Sequence, residues 1–293
     1  MKKVLITGVN GFTGIHLEKY LLKNGYDVYG TVINEPRSEK YFRCDITKRN
    51  EIDAVLLLIK PDYVIHIAAI SFVGESDASL IYDINVLGTQ NLLQALVDVN
   101  IKPKKLIVAS SATVYGNQGK EILDESMCPK PVNHYGISKL AMEHIVANYF
   151  KYFDIVITRP FNYTGIGQAE HFLIPKIVNH FRDQKKIIEL GNLDVKREFN
   201  DIGYICDIYD HLLRSDIRSE VVNIASNRGI KLLDVIEMMN EIAGYKIKVE
   251  VNPAFVRKDE IQSLTGSTLK LESFIGCLVQ KDFSETLKDM YEA

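Results

Sequence analysis

Tyr135 and Lys139 stand four residues apart in the stretch NHYGISKLAMEHI, which reads as the opening of a helix. At that spacing two side chains share a helix face, so the ammonium can lie near the phenol and make its anion easier to form. The expectation is a Tyr135 pKa drawn below the ordinary value of about 10, into a range where a proton can be exchanged near neutrality. In a chain with 15 tyrosines the spacing alone proves nothing, so the elements that would position such a pair must be found elsewhere.

Those elements are legible in the hydrophobic pattern. Short apolar, β-branched runs at 3–7, 27–32, 63–67, 105–110 and 155–159 alternate with helical segments at 14–23, 51–58, 80–99 and 135–152. This alternation predicts a parallel sheet covered by helices on both faces. Pro61 and Pro103 each precede a strand and stop the helix before it. Further on the pattern loosens: 165–170 reads as a loop, 172–182 as a helix, 221–225 as another buried strand, and the tail from about 231 as a small α/β cap.

The first strand leads into LITGVNGFTG, with glycines at 8, 11 and 14 and a helix behind them. Such a loop lets backbone approach a pyrophosphate, and the helix start supplies unpaired N–H groups and a positive dipole end. A dinucleotide is therefore expected here. The second strand ends in GTVINEPRS, where the ribose 2′ position would be read; Asn34 stands near that place, Glu35 follows, and Arg37 could meet a 2′-phosphate, which leans towards NADP(H) over NAD(H). A third stretch, KLIVASSATVYG, ends a strand in Ser110 and Ser111, at the edge of an open sheet where ligands bind.

Composition removes other classes. A net charge of −3 gives no basic field for nucleic acid or anionic lipid. Cys44, Cys128, Cys206 and Cys277 are widely spaced, which argues against a zinc site or disulfide framework and for a reducing cytoplasm. After the basic pair of MKKVLITG the apolar run is too short for a signal peptide, and no run is long enough to span a bilayer. The expectation is a soluble cytoplasmic protein with no metal.

Taken in order, TGxxGFxG, His66-Ile67-Ala68-Ala69, Ser110 to Gly116 and Tyr135-Gly-Ile-Ser-Lys139 resemble the motifs of the extended short-chain dehydrogenase/reductase family. The resemblance implies a Rossmann-type, doubly wound α/β fold with a smaller, interleaved C-terminal α/β part that binds a nucleotide sugar. The expected division is 1–162 for the dinucleotide-binding domain, with a returning segment at about 198–228, and 163–197 plus 229–293 for the substrate part. It also implies a homodimer, formed through the helices at 80–99 and 135–152. On the family's pattern Tyr135 would be the general acid/base, Ser111 the partner of the reacting oxygen, and Lys139 the residue that holds the nicotinamide ribose and lowers the phenol's pKa. Gly8, Asn10, Gly11, Phe12, Thr13, Gly14, Asn34, Arg37, Asp45, Ile46, Ala68, Ala69 and Pro160 would line the cofactor. Asn162, Lys176, Arg197, Arg257 and Glu260 would join Ser111 at the substrate, with Arg197 and Arg257 clamping a diphosphate and Glu260 accepting from a ribose.

Sugar-nucleotide dehydratases in this family resemble one another in carrying an acid after the catalytic hydroxyl; Ala112 and Thr113 stand there, which sets dehydration aside. Ala112 also occupies the place of the cysteine found in fucose-synthase-like epimerase/reductases, and His171 is the nearest other candidate acid. Ser-Ala-Thr-Val-Tyr-Gly is similar to UDP-hexose 4-epimerases, which recycle a tightly held NAD. RPFNYTGIGQ, FLIPKIV, GNLDVKREFNDI and NPAFVRKDEIQSLTGS are similar to GDP-4-keto-6-deoxymannose reductases and their relatives. The resemblance therefore implies reduction of a GDP- or dTDP-linked 4-keto-6-deoxyhexose at C4, with 4-epimerisation as the alternative. A dinucleotide-sensing regulator of the same fold stays open, though such proteins tend to lose the triad. Gly276-Cys277-Leu278-Val279 replaces the family's Gly-Trp-x-Pro, which bears on base recognition more than on catalysis.

Overall fold

The computed structural model describes residues 1–71, 77–256 and 260–293. In chain order the first half runs β1 (Lys3–Thr7), α1 (Phe12–Lys23), β2 (Asp27–Val32), β3 (Tyr41–Arg43), α2 (Arg49–Ile59), β4 (Tyr63–His66), α3 (Ala78–Tyr82), a π-helical turn (Asp83–Gly88), α4 (Thr89–Asp98), β5 (Lys105–Ala109), a 3₁₀ turn (Ala112–Tyr115) and α5 (His134–Ala147). There follow β6 (Ile155–Pro160), β7 (Tyr163–Thr164), α6 (Leu173–Arg182), β8 (Ile187–Leu190), β9 (Lys196–Glu198), β10 (Asn200–Asp201), α7 (Ile202–Arg214) and β11 (Glu220–Ile224). The chain ends with β12 (Gly229–Lys231), α8 (Leu232–Ala243), β13 (Lys248–Val251), a 3₁₀ turn (Pro253–Phe255), β14 (Ser263–Leu264), α9 (Leu269–Ile275) and α10 (Phe283–Glu292).

A seven-stranded sheet in the order β11-β6-β5-β4-β1-β2-β3 carries the fold, and every pairing in it is parallel. The twofold alternation of a strand sorts its side chains between two cores. Val4 and Ile6 of β1, Ile107 of β5 and Val156 of β6 pack with Leu17 and Leu21 of α1 and with Ile205, Ile208 and Leu212 of α7. Leu5, Leu106, Val108, Ile155 and Ile157 face the other way, onto Leu56 of α2, Leu92 and Leu96 of α4, and Met142 and Val146 of α5. Continuous apolar strands are the consequence of burying both faces. This is the Rossmann-type layering the sequence predicts.

Two expected helices differ in detail. The segment expected at 80–99 is helical throughout but passes through a π turn at Asp83–Gly88, where Asn85 and Gly88 are buried. The helix expected to reach 152 ends at Ala147, and turns carry the chain to β6. Leu80, Leu87, Ile137 and Tyr152 stay exposed on this side of the molecule.

A separate apolar core joins α6, α8 and α10 to β8 through Ile177, Phe181, Ile188, Val235, Met239 and Leu287. Small sheets tie this part together: β12-β9-β14, β13-β8 and β10-β7. Glu198, fully buried at the end of β9, is its polar staple. Its carboxylate accepts from the backbone N–H groups of Gly266 (2.7 Å), Ser226 (2.8 Å) and Asn227 (3.1 Å) and from the Asn200 amide (3.0 Å). One side chain thereby fastens the segment after β11 to the segment after β14. Among the described residues no helix is long and apolar enough to cross a membrane.

Candidate active site

The sheet order reverses at β1, which has β2 on one side and β4 on the other. The crevice beyond the carboxyl ends of β1 and β4 is where an open parallel sheet binds its ligand. Thr7 and His66 close that end of the sheet. Thr7 Oγ1 accepts from the N–H groups of Ile67 and Ala68 and contacts His66 Nδ1 at 2.7 Å, while His66 Nε2 meets Thr89 Oγ1 at 2.9 Å. Burial, with the Lys139 charge adding to it, pushes the His66 pKa down to about 3, so this imidazole is a neutral brace and not a proton carrier.

Above it lies the glycine loop. A Cβ on Gly14 would stand 2.5 Å from the carbonyl oxygens of Gly8 and Val9, and Gly8 itself has φ +73° against Ala68. Only glycine lets the loop fold this tightly over the sheet. Helix α1 begins behind it with no side chain capping its N-terminus, which leaves its first N–H groups for an anion. Asn10 and Gly11 are exposed at this rim, and Thr13 Oγ1 is 2.7 Å from the Tyr163 hydroxyl, with Phe12 stacked on the same ring. These residues fit a dinucleotide diphosphate.

Asn34 and Arg37 are exposed beyond β2. The short strand β3, not foreseen from the sequence, brings Arg43 level with Val32, and Arg43 pairs with Glu35 at 3.4 Å. Arg43, Asp45, Ile33, Lys48 and Glu51 line a recess of about 310 Å3. Asp45 is held by the Thr47 backbone and hydroxyl, and Ile46 is buried behind it.

On the other side of the crevice, Asn133 caps α5 by accepting from Gly136 N–H at 2.8 Å. A Cβ on Gly136 would come within 3.0 Å of the Thr113 carbonyl, so glycine allows the first turn of α5 to press against the 3₁₀ turn that follows Ser111. That contact brings Tyr135 beside Ser111, whose hydroxyl works to lower the phenol's pKa. Thr113 donates to Ser111 Oγ from both its hydroxyl (2.9 Å) and its backbone N–H (3.2 Å), which leaves the Ser111 hydrogen free to point outward. Asn85, from the π turn, clasps Ile70 through both its amide atoms and reaches Ser138. The sequence holds a signal for it: Asn and Gly inside a helical stretch are poor helix formers and mark an irregularity.

One expectation is corrected. Tyr135 is not made more acidic by Lys139; desolvation pushes its pKa up to about 12, against the opposing influence of Ser111 beside it. Lys139 is itself buried, donates from Nζ to the Ala109 carbonyl at 2.8 Å, and is lowered to about 8 by desolvation. A shared helix face brings the groups near, but the carbonyl at the end of β5 takes the ammonium. The phenol therefore holds its proton at neutral pH and is built to donate it.

The residues expected at the substrate are more dispersed. Asn162 is exposed after β6, whose last residue is Pro160, and its carbonyl accepts from Asn200 N–H. Ala69 lies just past β4. Lys176 donates to the Glu189 carbonyl and sits 4.3 Å from the Phe255 ring centre. Arg197 and Glu260, expected to touch different parts of a nucleotide, meet each other at 2.6 Å. Arg257 lies outside the described residues. His171 is exposed beside Phe172.

A family model described as GDP-mannose 4,6 dehydratase matches residues 5–290. The GDP-6-deoxy-D-talose 4-dehydrogenase of Aggregatibacter actinomycetemcomitans is 38% identical over 276 residues, which cover 94% of this chain and 91% of that protein. The GDP-6-deoxy-D-mannose reductase of Pseudomonas aeruginosa is 29% identical, with coverage of 98% and 95%. The solved structure of RMD from Pseudomonas aeruginosa, complexed with NADPH, superposes with a TM-score of 0.89 at 26% identity, over 100% of this chain and 98% of that one.

Proposed function

We propose, for a chain that belongs to the GDP-mannose 4,6-dehydratase family of extended short-chain dehydrogenase/reductases, that it is a 4-ketoreductase of GDP-linked 4-keto-6-deoxyhexoses, working with NADP(H). The observation that carries this reading is the placing of Tyr135 beside Ser111, near the glycine loop, with no acid in the two positions after Ser111. Ala112 is buried there and the Thr113 hydroxyl is spent on Ser111, so neither can move the proton that water elimination needs. The family's dehydratase chemistry is thus set aside for this chain, and of the remaining chemistries ketone reduction is favoured over 4-epimerisation by the GDP-6-deoxyhexose relatives.

A bound NAD(P)H supplies the two electrons and one hydrogen. The chain's own part is to hold the C4 oxygen and protonate it. Tyr135, protonated at neutral pH, gives its phenolic hydrogen to the nascent alkoxide, and Ser111 donates a second hydrogen bond to the same oxygen. Lys139, fixed on the Ala109 carbonyl, is placed to hold the nicotinamide ribose and to keep a positive charge in the site as the proton moves. Gly8, Gly11 and Gly14 hold the diphosphate against the start of α1. Arg37 and Arg43 supply cations for a 2′-phosphate, where an enzyme devoted to NAD places an acid. Two relatives that act on GDP-linked 6-deoxyhexoses support the choice of base.

The test is to offer GDP- and dTDP-linked 4-keto-6-deoxyhexoses with NADPH or NADH and to identify the product by NMR. One equivalent of NADPH consumed per GDP-sugar alcohol formed is the expected result. A copurifying NAD that is never consumed, with turnover of a nucleotide hexose, overturns it in favour of 4-epimerisation.

A further inference from the structure

Tyr135, Lys139 and Glu143 follow one another at intervals of four along α5, so the three share one face of the helix. The last of them lies outside the expected triad. Glu143 is 6% exposed, Ser110 4% and Arg159 5%, and the three form one closed group. Ser110 Oγ donates to Glu143 Oε1 at 2.5 Å; Arg159 donates to the same oxygen from Nε at 2.9 Å and to Oε2 from Nη2 at 2.7 Å. The guanidinium lies over the Tyr115 ring, 4.8 Å from its centre, and the Tyr115 hydroxyl donates to Asn223 on β11. A buried ion pair this well bonded costs desolvation without guaranteeing net stability, so its location calls for another reason.

We propose, resting on the ketoreductase reading, that Glu143 is a positioning residue for the reaction: it fixes the end of β5 that bears Ser111 and the Ala109 carbonyl, and it is the anion behind Lys139. Ser110 is the neighbour of Ser111, and Ala109 is the residue that holds Lys139. Both catalytic side chains are thus referred to one carboxylate, through strand β5 on one side and through α5 on the other. The Arg159 fork locks that carboxylate to β6, which leaves it one orientation.

The other titratable group that interacts with Lys139, His66 on β4, cannot substitute for Glu143, because burial keeps that imidazole neutral; Tyr135, one turn before Lys139 on α5, keeps its proton. Burial lowers Lys139 and Glu143 is the charge that raises it again. Removing the Glu143 charge makes the ammonium lose its proton at lower pH.

Three variants, assayed as the full-length protein with a GDP-linked 4-keto sugar and NADPH, test this. Glu143→Gln should lower kcat about tenfold or more and move the alkaline limb of the kcat profile down by about one pH unit, with NADPH affinity by fluorescence within about twofold of wild type. Glu143→Asp, which keeps the charge and shortens the reach, should lower kcat and leave the limb in place. Ser110→Ala should behave as Glu143→Asp does, since it cuts the link to Ser111 and spares the ion pair. Should Glu143→Gln fail to fold, the other two decide: wild-type kcat in both overturns the proposal. A folded Glu143→Gln with reduced kcat and an unmoved limb overturns it too, leaving only a structural pair. Wild-type protein that reduces no 4-keto sugar overturns the ketoreductase reading instead, and is distinguished by that control alone.

Discussion

The Lys139 ammonium donates to the Ala109 carbonyl at 2.8 Å, which anchors the cation of the YxxxK pair to strand β5 rather than to the phenol. Its burial lowers the Lys139 pKa to about 8, while Tyr135 stands at about 12. Reductive turnover should therefore be flat below about pH 8 and fall above it, as Lys139 loses its charge, with Tyr135 protonated throughout. The sign of the stability effect is opposite. The folded pKa of Lys139 lies below its free value of 10.5, so raising the pH from about 8 towards 10.5 relieves a buried charge and its contribution to stability grows. A fall in kcat accompanied by constant far-UV circular dichroism is the expected pattern. A profile flat to about pH 10 would remove Lys139 from the proton path.

Replacing Tyr135 by Phe removes the donated proton and little else. Turnover should fall by about 10²–10⁴, with NADPH binding retained, and Ser111→Ala should cost about 10²–10³. Retained turnover in Tyr135→Phe would reject the assignment of this phenol as the acid.

Gly14→Ala places a methyl 2.5 Å from two carbonyl oxygens that have no side-chain freedom to retreat. The loop must open, at a cost of about 1–3 kcal/mol in stability and with loss of dinucleotide affinity. Thermal melts with and without NADPH read both effects; a ligand-induced shift equal to wild type would show that the loop does not carry the diphosphate.

Arg43→Ala should weaken binding of 2′,5′-ADP about tenfold and leave 5′-AMP unchanged, because a charged hydrogen bond to the 2′-phosphate is lost along with only an exposed ion pair to Glu35. Titration calorimetry with the two nucleotides separates the outcomes. Equal effects on both, or on neither, would count against NADP(H) as the preferred cofactor.

Glu198→Ala leaves three backbone N–H groups, that of Gly266 buried and those of Ser226 and Asn227 partly so, without their acceptor. The loss should be about 3 kcal/mol or more, a fall of several degrees in Tm. A denaturant melt within about 0.5 kcal/mol of wild type would mean that water or a neighbouring carbonyl replaces the carboxylate.

The strands β1 and β2 fall where the apolar runs place them, and β4, β5 and β6 within a residue or so at their ends, because buried parallel strands advertise themselves as unbroken β-branched runs. β3 escaped notice because Tyr41, Phe42 and Arg43 are too few to show a period, and with it went Arg43. Ser111 and Tyr135 could be read as a pair from ordered motifs, yet the direction of the Tyr135 pKa could not. Spacing says that Lys139 shares a face with the phenol, but only the folded chain shows that its ammonium donates to a carbonyl at the end of β5. The Glu143–Arg159 pair and the cage around Glu198 were hidden for a related reason. A charged residue in a sequence looks solvated until the partner, often far along the chain, is seen to close over it.

Strand β11 lies at one border of the main sheet, hydrogen-bonded to β6, although more than fifty residues belonging to α6, β8, β9 and α7 intervene between the two. A chain cut after β6 would present a bare strand edge and a half-covered apolar face where β11 and α7 now sit. The part built on the main sheet and the part built on the α6, α8 and α10 core are sewn together and cannot be traded as cassettes; a chimera that respects this stitching has to exchange both passes of the thread at once.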